Sequence, residues 1–224
     1  EVFPIGATVV VWTVTEVRGM GATATCSFTI TVSDDDVPLI SGCPTSKTVY
    51  TGTTSCAQLV SWTTPTATDN CTLTSFVVVT TPNSVPLTEI SIFTFGLFPR
   101  GVETVTYTAT DDSGNTATCV FTVTVLDTVR PTITGCPANI TTTTDPGLCS
   151  AVVPWVAPTA SDNCPGVSLS ATHAPGATFP KGVTTVTYTA TDASGNTKLC
   201  VFTVTVNDDE NPVIATCPVT RTIE

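Results

Sequence analysis

Threonine alternates with valine, alanine and aromatic residues along most of the chain, as in Val105-Thr106-Tyr107-Thr108-Ala109-Thr110 and Val186-Thr187-Tyr188-Thr189-Ala190-Thr191. A period of two sends successive side chains to opposite faces of an extended strand, and β-branched residues pack well on such a half-buried surface. No window carries apolar residues at three- and four-residue spacing, and 17 prolines and 14 glycines punctuate the chain. Helix is therefore nearly excluded, and the pattern predicts short strands broken by frequent turns. The two Asp-x-Ser-Gly-Asn segments, starting at Asp111 and Asp192, each lie between Thr/Val strands. They predict hairpin turns in which glycine supplies the positive φ.

The strand pattern is itself repeated. One unit runs from Gly42-Cys43-Pro44 through Cys56, Trp62 and Pro65-Thr66-Ala67-Thr68-Asp69-Asn70-Cys71 to Phe98-Pro99-Arg100-Gly101, the Tyr107 strand, Ser113-Gly114-Asn115 and Cys119-Val120-Phe121. The next runs from Gly135-Cys136-Pro137 through Cys149, Trp155 and Pro158-Thr159-Ala160-Ser161-Asp162-Asn163-Cys164 to Phe179-Pro180-Lys181-Gly182, the Tyr188 strand, Ser194-Gly195-Asn196 and Cys200-Val201-Phe202. Cys-Pro recurs at 43, 136 and 217, giving periods of 93 and 81 residues. The difference lies between the third cysteine and Phe-Pro, so the first unit carries a longer middle segment within Phe76–Phe95, as extra strands or a loop. Phe3-Pro4-Ile5-Gly6 and Cys26-Ser27-Phe28 match the end of a unit. The expected organisation is a partial repeat over 1–33, complete repeats over 34–126 and 127–207, and the start of another over 208–224. On this reading the chain is a segment of a longer protein.

Composition narrows the setting. Ten cysteines at recurring positions point to disulfides and an oxidising, extracellular compartment, with three possible connectivities per four-cysteine unit. Zinc is disfavoured, because no Cys-x-x-Cys occurs and His173 is the sole histidine. Only 11% of residues are charged and the net charge is −11, so nucleic acid and anionic membranes are poor partners. No stretch is apolar enough to span a membrane, and Glu1-Val2-Phe3-Pro4 does not read as a signal peptide, which places the expected N-terminus upstream. Catalysis is not expected. His173 has no counterpart in the other repeat, and no Gly-rich phosphate loop precedes a lysine. Asn70-Cys71-Thr72 and Asn139-Ile140-Thr141 match the N-glycosylation pattern.

The Cys-Pro, Pro-x-Ala-x-Asp-Asn-Cys, Phe-Pro-x-Gly and Tyr-x-Ala-x-Asp-x-Ser-Gly-Asn segments, with the Cys-x-Phe that follows, closely resemble the hyalin repeat, or HYR module. The resemblance implies tandem immunoglobulin-like β-sandwiches, an all-β fold found in extracellular, adhesion-related proteins. The Asp-x-x-x-Pro linkers and Thr-rich strands look more like the family's bacterial arrays, implying a large bacterial surface protein. In the strand order the resemblance implies, the expected disulfides are Cys43–Cys119 and Cys136–Cys200, leaving Cys56–Cys71 and Cys149–Cys164. Trp62 and Trp155 read as core, with sugar stacking as the alternative.

The acids cluster at linkers (Asp34-Asp35-Asp36, Asp127, Asp208-Asp209-Glu210), at the two Asp-Asn-Cys loops and at the two hairpin turns. In a sandwich with opposed termini these three sites share one pole. Converging carboxylates repel unless a cation binds, and calcium takes six to eight oxygen ligands. The expected sets are Asp35, Asp36, Asp69 and Asp111 with Asn70, and Asp127, Asp162 and Asp192 with Asn163. The competing reading is that Asp and Asn cap turns locally. The expected role is a non-catalytic stalk or filament segment of an extracellular adhesion protein, the alternative a carbohydrate-binding or spacer module of a secreted hydrolase. Its expected partners are neighbouring repeats, identical chains in a fibre or cell-surface glycans. The apolar middle segment of the first repeat is the favoured contact surface.

Overall fold

In the computed structural model the described residues are all but Met20, Ser84, Ser91, Ile92 and 215–224. Every element among them is a strand, as the period-two pattern predicts. The chain divides into two compact units, Glu1–Val49 with Leu59–Val125, and Tyr50–Gln58 with Leu126–Glu224.

In the first unit, β1 (Gly6–Thr15) and β2 (Thr23–Val32) form a hairpin. Next come β3 (Leu39–Ser41), β4 (Lys47–Tyr50), β5 (Ala57–Thr63), β6 (Thr66–Thr68) and β7 (Leu73–Thr81). After them run β8 (Leu87–Ile90), β9 (Phe93–Pro99), β10 (Gly101–Asp111) and β11 (Thr116–Leu126). The sheets are ordered β4-β11-β10-β7, β5-β9-β8 and β3-β6. Along β10, Val105, Tyr107 and Ala109 point into the core while Thr104, Thr106, Thr108 and Thr110 point outward. Trp62, Phe98, Tyr107 and Phe121 fill the space between sheets. Trp62 is 4% exposed, and its Nε1 donates to the Tyr107 hydroxyl at 2.9 Å, which donates on to Thr94 Oγ1 at 3.0 Å. A buried indole with a satisfied N–H is core, not a sugar platform.

The longer middle segment of the first repeat extends β7 and adds β8 to the edge of the β5-β9 sheet. Its turn is fastened by the buried Glu103 carboxylate, which accepts the backbone N–H of Asn83 and its side-chain amide.

The second unit repeats the plan with β12 (Thr132–Thr134), β13 (Ile140–Thr143), β14 (Ser150–Val153), β15 (Thr159–Ser161), β16 (Ser168–Ala171), β17 (Ala177–Pro180), β18 (Gly182–Thr191) and β19 (Thr197–Asn207). Its sheets are β13-β19-β18-β16, β14-β17 and β12-β15. Trp155, Phe179, Tyr188 and Phe202 occupy the matching core positions, and Trp155 Nε1 donates to the Tyr188 hydroxyl at 2.8 Å. These are disulfide-stapled, immunoglobulin-like β-sandwich repeats.

Among the described residues the bonds are Cys43–Cys119, Cys136–Cys200 and Cys56–Cys164. The third corrects the expected Cys56–Cys71 and Cys149–Cys164. By sequence register Cys56 belongs to the first repeat, but Tyr50–Gln58 folds as part of the second unit. There it meets Cys164, so Cys164 is unavailable to Cys149 and Cys71 keeps its thiol. Cys26 is also free, on the lone β1-β2 hairpin, whose Trp12 faces Cys26 as Tyr107 faces Cys119. Cys217 itself lies outside the described residues.

Candidate functional site

The tight turns after β10 and β18 hold the first group of acids, and their carboxylates are fully engaged. Asp111 Oδ1 accepts the N–H groups of Ser113 and Asn115 at 2.9 and 2.8 Å, and its Oδ2 accepts the Asn115 amide at 2.8 Å. Asp192 does the same with Ser194 and Asn196, all at 2.8 Å. Gly114 and Gly195, at φ 90° and 87°, let each turn reverse where a Cβ would strain it. The same asparagines reach the linkers. Asn115 donates to Asp34 O at 3.1 Å, and Asn196 to Asp127 O and Val129 O at 3.1 and 3.2 Å.

Burial alone would raise the pKa of Asp111 and Asp192. The donors from Asn115 or Asn196 and the turn backbone outweigh it, so both lie below the ordinary 3.8. A depressed carboxylate contributes stability above its unfolded pKa and loses it as pH falls through the folded value. The expected result is a lower urea midpoint at pH 3 than at pH 7, with a smaller difference between the two pH values in the Asp111→Ala/Asp192→Ala double variant.

The Asp-Asn-Cys loops form the second group. Asp69 Oδ1 and Asp162 Oδ2 accept the N–H of Cys71 and Cys164 at 2.9 and 3.0 Å, which makes the two turns alike. Asp34, Asp69 and Cys71 bring their ligating atoms within 4.8 Å of one another, as do Asp127, Asp162 and Cys164. Of the residues expected in the first set, Asp69 is at this cluster. Asp36 touches it through Asn70, whose amide donates to Asp36 Oδ2 at 3.1 Å. Asp35 is exposed and outside it, and Asp34 holds the place instead. The linker spacing carries that signal, since Asp34, Asp127 and Asp208 each stand four residues before a proline. Asp111 and Asp192 are turn caps, so local capping accounts for them.

Asp127 is heavily bonded, accepting from Thr51 Oγ1 at 3.0 Å, Val129 N at 3.1 Å and Ser194 Oγ at 3.3 Å. Asp34 Oδ2, Asp162 Oδ1 and Asn163 Oδ1 are different, being buried acceptors with no donor among the described residues. Such oxygens cost free energy unless something satisfies them. They fit a hard cation, although the sulfur of Cys164 is held in a disulfide and is no thiolate ligand.

Cys71 is the reactive group with the largest perturbation. Its hydrogen bond to the Asp34 carboxylate, then burial, then the charges of Asp34, Asp112 and Asp69 raise its pKa from 9.0 to about 11. The thiolate is the nucleophile, so a two-unit rise cuts its population roughly 100-fold at pH 8. Cys71 is expected to alkylate about that much more slowly than a thiol of pKa 9.0, and Asp34→Asn to recover much of the rate. Time-resolved iodoacetamide labelling with peptide mapping measures both.

His173 lies over the Phe179 ring at 5.1 Å, its Nδ1 beside its own neighbour Thr172. Asn139 is exposed, and its Oδ1 accepts the N–H of Thr203.

The HYR domain family matches residues 33–125 and 126–206. The chain is 38% identical, over 99% of its length, to hyalin of Strongylocentrotus purpuratus, and spans 18% of that protein. It is 36% identical over its whole length to hyalin of Lytechinus variegatus, spanning 41% of it. Over 77% of its length it is 36% identical to the mouse (Mus musculus) sushi, von Willebrand factor type A, EGF and pentraxin domain-containing protein 1, spanning 4% of that protein. The chain thus covers less than half of each relative. These relatives are animal proteins, and the bacterial provenance expected from the linkers finds no support in them. Among solved structures, protocadherin gamma C5 EC1-3 aligns over 89% of this chain and 77% of its own at a TM-score of 0.37 and 14% identity. That overlap is too low to carry anything further.

Proposed function

The chain belongs to the HYR domain family, and from that premise we propose that it is a non-catalytic segment of an extracellular, adhesion-type array. The observation that carries this is the duplication itself. Two repeats bury the same aromatic core, close the same Cys-Pro to Cys-x-Phe disulfide and cap the same hairpin with the same Asp-Asn pair. Selection for one binding surface would leave one repeat distinctive at its site, whereas selection for a scaffold preserves bodies and joints alike. Similarity to hyalins and three disulfides support an oxidising, extracellular location. Among the described residues no helix is long and apolar enough to cross a membrane. The carbohydrate-binding alternative loses its best aromatic, since Trp62 is inside the sandwich.

Beads coated with the chain, together with a glycan array, test the reading. A scaffold segment leaves the beads dispersed and the array unlabelled. Clustering would assign homotypic contact to these repeats, and glycan capture would favour the carbohydrate-binding alternative.

The second part of the proposal is calcium at the acidic poles. Asp34, Asp36 and Asp69 would hold one ion, and Asp127 and Asp162 with the Asn163 carbonyl another, the remaining ligands being water or backbone oxygen. The buried, donorless oxygens at Asp34, Asp162 and Asn163 support it. Millimolar calcium is expected to raise the thermal midpoint by several degrees over EGTA, and Asp162→Asn to abolish most of that gain. An unchanged midpoint removes the ion from the account.

A further inference from the structure

The Cys56–Cys164 bond joins two residues that the repeat assigns to different copies, and each has a counterpart whose thiol is free. Cys149 stands in the second repeat where Cys56 stands in the first, and Cys71 stands where Cys164 does. We propose that this bond is one rung of a regular ladder. In it, the loop cysteine of each repeat, Cys56 or Cys149, pairs with the Asp-Asn-Cys cysteine of the repeat that follows it. Cys71 and Cys149 are then half-rungs, the first for a preceding repeat and the second for a following one.

Three observations beyond the free thiols carry this. The base of both loops is built alike, with Thr51 N donating to Leu126 O and Thr144 N to Asn207 O, each at 2.9 Å. At the occupied rung, the Thr51 hydroxyl donates to Asp127 Oδ1. Its counterpart Thr144 is 6% exposed and its hydroxyl has no partner among the described residues. The carboxylate in register with Asp127 is Asp208, here bonded to Lys181 at 3.0 Å. Thr144 is therefore a buried polar group in the position that its counterpart uses to grip the next linker, and Glu210 of that linker already accepts the Gly147 N–H of the same loop at 3.0 Å.

The receiving side shows the same contrast. The Asn163 amide clasps the inserted loop, donating to Thr51 Oγ1, Gly52 O and Ser55 O at 3.2, 3.0 and 3.4 Å. Asn70, with no such loop beside it, turns its amide onto Asp34 and Asp36 instead. The turn that presents the cysteine is nevertheless already set in both copies by Asp69 and Asp162. Closing a rung removes one proton from each thiol and two electrons in all. A disulfide carrier of the oxidising compartment accepts them, passing through one mixed disulfide and leaving as two thiols.

The ladder rests on the tandem-array reading, but its test does not depend on adhesion. A second copy of residues 127–207 is inserted after Asn207, in register with the linkers, with Cys149→Ser in the inserted copy only. Non-reducing peptide mapping is then compared with the parent chain. The expected result is a new Cys149–Cys164 linked peptide and complete loss of alkylation at the original Cys149, with Cys56–Cys164 and Cys136–Cys200 retained. Retention of Cys136–Cys200 in both copies certifies folding, and alkylation of Cys149 in such a protein overturns the ladder. A companion chain duplicating residues 34–126, with Cys71→Ser in the leading copy, puts the question to the other half-rung. Its expected product is a Cys56–Cys71 peptide, and a freely alkylated Cys71 in the trailing copy overturns the ladder equally.

Discussion

Replacing Cys136 and Cys200 together by serine is expected to cost the second repeat about 4 kcal/mol, most of the stability a domain of this size possesses. The bond closes 64 residues, and loop-closure entropy in the unfolded chain grows slowly with that length. Cys200 is also buried beside Phe202 and Val204, so the serine hydroxyl would enter an apolar site. The measurement is urea unfolding followed by intrinsic fluorescence, in which Trp155 reports the second unit and Trp12 and Trp62 the first. The same double change at Cys56 and Cys164 is expected to do less, although that bond spans 108 residues. Residues 59–125 within its loop are folded in the first unit, so the loop that is actually flexible is much shorter than the count. A larger loss at Cys56/Cys164 than at Cys136/Cys200 would show that the core of the second repeat depends on the inserted segment.

Phe179→Ala is expected to cost 3–5 kcal/mol, as is Phe98→Ala in the first unit, by lost transfer energy plus the cavity left behind. Both rings are 0% exposed. Phe179 is wedged between Trp155 at 5.8 Å and His173 at 5.1 Å, and Phe98 lies 5.9 Å from Trp62. Each change should move the unfolding midpoint of its own unit. Val183→Ala, at a side chain 70% exposed on β18, should stay within about 0.5 kcal/mol. Near-equal losses for Phe98 and Phe179 would mean that the extra strand β8 adds little to core strength. A markedly smaller loss for Phe98 would mean that β7 and β8 collapse into the gap.

The fold was legible because threonine alternation, Gly-bearing turns and the repeat register all point to one architecture. The acidic pole was partly legible. Equivalent positions identify Asp69 and Asp162, Asp111 and Asp192, and bring them to the same end of each sandwich. What a single residue's type cannot say is whether its oxygens are already spent. Asp111 and Asp192 look like ligands in a list of acids and are turn caps in space, since three donors converge on each from within five residues. Asp34 was hidden among three consecutive aspartates, and only the spacing to Pro38 singles it out. The Cys56 pairing was illegible for a deeper reason. Assigning each cysteine to its own repeat assumes that a sequence period is a folding unit, and Tyr50–Gln58 breaks that assumption by folding with residues of the next copy.

The order of the three bonds along the chain has a mechanical consequence. Cys43–Cys119, Cys56–Cys164 and Cys136–Cys200 interleave, each opening before the previous one closes. A pull applied outside Cys43 and Cys200 is carried through sulfur at both ends, and the stretch from Cys119 to Cys136 sets the slack between them. At roughly 3.5 Å per residue that stretch is about 60 Å when taut, and even complete melting of both sandwiches could not lengthen this part of the chain further. Unfolding and extension are thereby uncoupled between Cys43 and Cys200: heat or denaturant can disorder the strands there, while the distance that part can span under tension is capped by covalent bonds alone.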